Sequence, residues 1–153
     1  MDPLVARAMA KWPNVPAVYG WLSLDRRGNW LIKGERIANA ALREFIGRNY
    51  AADSAGRWYF QNGPQRVFVR LAYTPWVVHY EGDALIDHCG GAFSAQSFYV
   101  DEEGSVLAAG ERGVALVDDR DLARFADVEA APQAIRRAEI PGRFGFVPEP
   151  KAA

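Results

Sequence analysis

Cysteine is nearly missing from this chain: Cys89 is the only one in 153 residues. No intrachain disulfide can form, and a reducing compartment suits such a sequence. Histidine is almost as scarce, with only His79 and His88. No Cys-x-x-Cys or His-x-x-x-His spacing exists to build a zinc site. An excess of either charge is lacking too. Lys and Arg number 18 against 19 Asp and Glu, for a net charge of −1. Nothing global therefore draws the chain to nucleic acid or to an anionic membrane surface. No apolar run approaches the roughly 18 residues of a membrane helix. The opening MDPLVARAMAKWPNVP has an acid at position 2 and too short an apolar stretch for a signal peptide. Neither Gly-x-x-x-x-Gly-Lys-[Ser/Thr] nor Gly-x-Gly-x-x-Gly occurs, so no phosphate-cradling loop and no cofactor is indicated. These absences point to a cytoplasmic protein with neither membrane nor nucleic acid as its partner.

What is present is hydrophobic and aromatic material, 50% and 12% of the residues. A chain of this length is expected to form one domain over residues 1–153 and to bury roughly 70% of its unfolded surface. Asp2-Pro3 has the form of a helix start, followed by Leu4, Val5, Ala8 and Met9 at helical spacing, and Pro13 and Pro16 stop it. Val18–Leu24 and Asn29–Ile32 flank a polar loop with Gly28, a β-hairpin signature. The segment 35–48 reads as the best helix, with Ile37, Ala41, Leu42 and Phe45 on one face. Strands are expected at 57–61, 67–71, 76–80, 84–88, 98–100, 106–108 and 114–117. Asp119 is placed to cap a short helix and Pro132 to open another. The tail 141–153, rich in Pro and Gly, reads as extended or partly disordered.

One pattern recurs. Asp25 to Gly28, Asp53 to Gly56 and Asp101 to Gly104 each read Asp-x-x-Gly, followed two residues on by Trp30, Trp58 and Val106. The carboxylate accepts from a backbone N–H two residues on, and glycine takes a left-handed φ, so each copy bends the chain into a hairpin. Gly34-Glu35-Arg36 follows the first copy as Gly110-Glu111-Arg112 follows the third. The expectation is an approximate internal repeat of residues 18–48 and 96–126. The fold class is then α+β, a mainly antiparallel sheet built from repeated β-hairpin–helix units in two similar halves.

Lys11-Trp12-Pro13-Asn14-Val15-Pro16, Tyr19-Gly20-Trp21-Leu22, the Asp25–Trp30 turn, Gln61-Asn62-Gly63-Pro64-Gln65-Arg66-Val67 and Thr74-Pro75-Trp76 resemble a proteobacterial domain-of-unknown-function family. The likeness runs from about Val5 to about Phe125. In the order of its parts the chain is distantly similar to a second such family, associated with repeated structural motifs and a suggested part in signal transduction. The resemblance implies a regulatory or binding role and supplies no catalytic residues.

Two groups stand out as candidate sites. His79, Asp87, His88 and Cys89 form the one cluster of metal-ligand or nucleophile types. Asp87, His88 and Cys89 are consecutive, however, and on a strand His88 points opposite its neighbours. Ordinary strand residues are the better reading. Asn62, Gln65 and Arg66 form the densest polar loop, able to offer N–H groups and a guanidinium to a carboxylate or phosphate. The arginines among the aromatics, Arg57, Arg66 and Arg70, resemble a single-strand nucleic-acid platform, but the balanced charge argues for core packing. The sequence therefore points to a non-enzymatic ligand- or protein-binding module, regulatory or signalling, that forms a homodimer. The alternatives are a small enzyme using His79, His88 or Cys89, and a structural or assembly partner.

Overall fold

A computed structural model describes residues 3–126 and 131–152. The chain clusters into two compact units. One takes in the chain up to Asp25, then Asn29–Ala72 and the segment from Val147. The other takes in Arg26–Gly28 and Tyr73–Phe146.

In the first unit, α1 (Pro3–Ala10) begins on a proline, whose missing N–H costs nothing at that position, and buries Val5 and Met9 one turn apart. Asp2, read above as its cap, lies outside the described residues. Six strands follow: β1 (Ala17–Leu24), β2 (Trp30–Ile32), β3 (Glu35–Arg36), β4 (Tyr50–Ala52), β5 (Trp58–Asn62) and β6 (Gln65–Leu71). They form one sheet ordered β3-β2-β1-β6-β5-β4. Within β1–β3 and within β4–β6 consecutive strands pair antiparallel, but β1 and β6 pair parallel, with Val18 opposite Val67 and Leu22 opposite Val69. The core face carries Val18, Leu22, Leu24, Phe60, Val67 and Val69, and α2 (Ala40–Arg48) adds Leu42 and Ile46.

The helix expected over 35–48 starts five residues late. Lys33 and Gly34 both have positive φ, 50° and 82°, the mirror-image turn that reverses a strand in two residues. Glu35 and Arg36 consequently pair with Ile32 and Leu31 as β3. Asn39 then caps α2, its side-chain oxygen accepting the Leu42 N–H at 3.0 Å.

The second unit holds β7 (Trp76–Glu81), β8 (Ala84–Asp87), β9 (Ala92–Phe93), β10 (Ser97–Val100), β11 (Val106–Gly110), β12 (Gly113–Val117) and β13 (Gln133–Ala134). Their order is β13-β10-β11-β12-β7-β8-β9, with β12–β7 and β10–β13 parallel and the rest antiparallel. Val77, Val78, Leu85, Leu107, Val114 and Leu116 are its core. Asp119–Phe125 is a short 3-10 turn capped by Asp118, whose carboxylate accepts the Arg120 N–H at 3.1 Å.

The fold is thus α+β and mostly sheet, but the sheets are mixed rather than mainly antiparallel. Hairpin signals reveal strands adjacent in sequence; the parallel ladders join strands far apart, which no local signal marks. Two further expectations change. The segment after Pro132 is β13 and a 3-10 turn, Arg137–Glu139, rather than a helix. The tail opens with a helix, α3 (Ile140–Phe144), ended by Gly145 in a left-handed conformation. Beyond it, Val147 donates to the Gly56 carbonyl and Pro148 accepts from Leu71. Among the described residues no helix is long and apolar enough to cross a membrane.

Candidate functional site

The acid–glycine turns use a common set of hydrogen bonds. In each, the Asp N–H donates to the carbonyl four residues on, and that residue's N–H donates back to the Asp Oδ1. The pairs are Asp25 with Asn29, Asp53 with Arg57, and Asp101 with Ser105, at 2.8–3.0 Å. Gly28, Gly56 and Gly104 have φ of 81°, 78° and 85°. At Gly28 a side chain would also collide, since a Cβ there lies 2.7 Å from that of His88.

A fourth copy stands where the reactive cluster was sought. Asp87-His88-Cys89-Gly90 is itself Asp-x-x-Gly. Asp87 donates to the Gly91 carbonyl at 2.8 Å, and its Oδ1 accepts from Cys89 at 2.7 Å and Gly91 at 3.1 Å. Its Oδ2 accepts from Arg112 at 2.6 Å, and the carboxylate is buried. Arg112 lies 4.3 Å over the Trp76 ring and donates to the Ala92 carbonyl at 2.7 Å. His88 Nδ1 accepts the Val77 N–H at 3.2 Å. His79 is on the other face of the sheet: it pairs with Ile86, whereas Asp87 pairs with Val78. Its Nε2 lies 3.2 Å from Glu81. Burial, with the Asp87 carboxylate, pushes the half-buried Cys89 thiol up to about 12 against the pull of Arg112. Among the described residues, no three His, Cys, Asp or Glu side chains converge as a metal requires.

In the polar loop Gln65 is buried, while Arg66 is exposed. Asn62 donates to Gln65 Oε1 at 3.1 Å, and Gln65 donates to the carbonyls of Pro13 and Val15 at 2.5 and 2.8 Å. The loop therefore ties down the segment before β1. Arg66 lies 4.3 Å over the Tyr59 ring. In the same unit Arg57 lies 4.8 Å over Phe68, on which Tyr19 stacks at 4.8 Å.

One depression lined by donors lies outside the residues that the sequence singles out. In the second unit Arg26, Arg27 and Ser105 line a depression of about 220 Å³ with Leu116, Val117, Asp119 and Leu122. Arg26 donates to Ser105 Oγ at 2.7 Å and lies 5.0 Å over Tyr73. Tyr73 donates to the buried Asp101 at 2.7 Å, so the acid that forms one turn also fixes the ring under Arg26. Arg27 faces Asp119 at 3.6 Å, both side chains exposed. The signal in the sequence was the pair of arginines at the tip of a tight turn, which the turn reading treated as spacer.

No curated protein matches the sequence. Two crystal structures match the chain, the first of them similar in fold. One, a DUF1285 family protein from Silicibacter pomeroyi DSS-3, has 18% identity and a TM-score of 0.56 over 81% of this chain and 82% of that one. The other, a DUF1285 family protein from Shewanella baltica OS155, has 13% identity and a TM-score of 0.49 over 69% and 89%. In sequence, residues 1–151 match the family DUF2944, described as "Protein of unknown function (DUF2946)", and the chain belongs to that family.

Proposed function

We propose that this chain is a non-enzymatic binding module with a regulatory role, and that its ligand sits in the Arg26 depression. One observation carries the reading. The polar groups lining the depression are almost all donors, set over an apolar floor, and its one carboxylate, Asp119, faces Arg27. Its donors outnumber its acceptors, and a ligand would supply the missing ones. By contrast, the side chains with chemical potential are occupied in structure: Asp87 in a turn and an ion pair, His88 in a backbone hydrogen bond, and Cys89 with a thiol that stays protonated at neutral pH.

Duplication supports the same picture of a scaffold with one adapted copy. Strands β5 and β11, and the starts of β6 and β12, stand at a constant offset of 48 residues, as do Asp53 and Asp101. Each sheet contains two three-stranded meanders joined by a parallel pair, β1 with β6 and β7 with β12, and the second sheet adds β13 at its edge. We therefore take residues 50–69 and 98–117 as the copies, a closer match than 18–48 with 96–126. A cytoplasmic setting and a homodimer belong to the same reading.

A small-molecule library screened by thermal shift tests it. Hits that stabilise the wild type and are lost in Arg26→Gln are expected; a screen without hits would remove the reading. A second reading, an assembly partner, has its own observation. Val15 is 47% exposed and lines a shallow depression of about 270 Å³ with Pro16, Pro64 and Gln65. Light scattering on Val15→Asp decides it: an unchanged oligomeric state and an unchanged set of co-purifying proteins would leave the patch without a role.

A further inference from the structure

Charge, floor and size narrow what the Arg26 depression holds. Arg26 has no carboxylate against it among the described residues; one of its five N–H donors goes to Ser105 Oγ, and its plane rests over Tyr73. Because Ser105 Oγ accepts from Arg26, the hydroxyl keeps its own proton to donate. Two guanidiniums line the depression with one carboxylate, Asp119, while the Asp101 carboxylate behind it is taken up by the Ser105 N–H and the Tyr73 hydroxyl. The floor is Leu116, Val117 and Leu122, which reward an aliphatic body and give nothing to a sugar or a second phosphate. The volume, about 220 Å³, falls below the roughly 300–1,000 Å³ of sites for drug-sized ligands.

From this we infer that the depression binds a short-chain aliphatic monocarboxylate. Its carboxylate is held by Arg26 and Ser105, with Arg27 at the mouth, and its chain lies on Leu116, Val117 and Leu122. The inference rests on the binding-module reading above and adds the ligand class to it.

The test is a titration of the 15N-labelled full chain with four probes: hexanoate, hexanamide, hexylamine and inorganic phosphate. Hexanoate is expected to move the amides of Gly28, Ser105 and Leu122 saturably, with an affinity that falls as salt is raised. Hexanamide and hexylamine are expected to leave them in place. Arg26→Gln removes a charge-assisted hydrogen bond and should weaken hexanoate about tenfold or more. Arg26→Lys, which keeps the charge and loses the fork, should weaken it less and serves if the glutamine variant is poorly folded. Hexanamide binding as tightly as hexanoate would overturn the inference, as would full affinity in a folded Arg26→Gln. Phosphate moving these amides where hexanoate does not would overturn the carboxylate class while leaving a binding module. If none of the four probes moves them, the inference fails and the Arg26 depression loses its standing as the site as well.

Discussion

Asp87 is, with Asp101, one of two buried carboxylates among the second unit's described residues. Its carboxylate accepts from Cys89, Gly91 and Arg112 while almost fully enclosed. Alanine there strands two backbone donors and a guanidinium, and a loss of about 2–4 kcal/mol is expected in urea unfolding. Asp87→Asn keeps an acceptor for the turn and should cost less; equal losses would show that the ion pair, not the turn, carries the stability. Cys89 leaves a pH signature. Its thiol rises from 9.0 to about 12 on folding, so the folded chain keeps a proton that the unfolded chain releases. That contribution is complete below the ordinary thiol value and is lost as pH climbs toward 12. The Tyr73 phenol, raised first by burial and then by Asp101, works in the same direction. Stability is therefore expected to fall above about pH 9, and Cys89→Ala should flatten part of that fall. Iodoacetamide at pH 8 should label Cys89 far more slowly than it labels the unfolded chain.

Among the elements, what matters is where a turn ends and a helix begins. Asn39 caps α2 through the Leu42 N–H, and Asn39→Ala is expected to cost about 1 kcal/mol, measured by the shift in unfolding midpoint. The hairpin turns offer a comparison between the proposed copies. Asp53 Oδ2 meets the Arg57 side chain at 2.8 Å near the surface, whereas Asp101 Oδ2 receives the buried Tyr73 hydroxyl. Asp101→Ala should therefore destabilise more than Asp53→Ala, by about 1–2 kcal/mol, since it leaves a buried hydroxyl unsatisfied. Burial works to raise the Asp53 carboxyl, but the N–H groups of Arg57 and Ala55 and the Arg57 charge prevail and hold it below the ordinary value. Its contribution is present above that ordinary value and fades as pH falls through the lowered one.

The largest scale concerns how distant segments close each sheet. In the first unit, residues from Val147 return to pair with Arg57 and to accept from Leu71, and Pro150 is buried there. Truncation after Phe146 removes those contacts and should lower the melting temperature by about 2–4 °C for each kcal/mol lost. The tail's compositional bias hid this, because proline and glycine describe local stiffness and say nothing of a distant strand edge. What was readable in the chain alone was local. The Asp-x-x-Gly turns, most strand positions and the aromatic core follow from chemistry spanning about five residues, where carboxylate, glycine and alternation act directly. Even the fourth turn, at Asp87, was written in the same letters, obscured by its histidine and cysteine. Tertiary structure alone decided the parallel pairings of β1 with β6 and of β7 with β12. It also decided the ion pair between Asp87 and Arg112, and the meeting of Arg26 with Ser105 and Tyr73. These join residues tens of positions apart, and their partners are chosen by the packing of whole sheets rather than by any property of the residues between them.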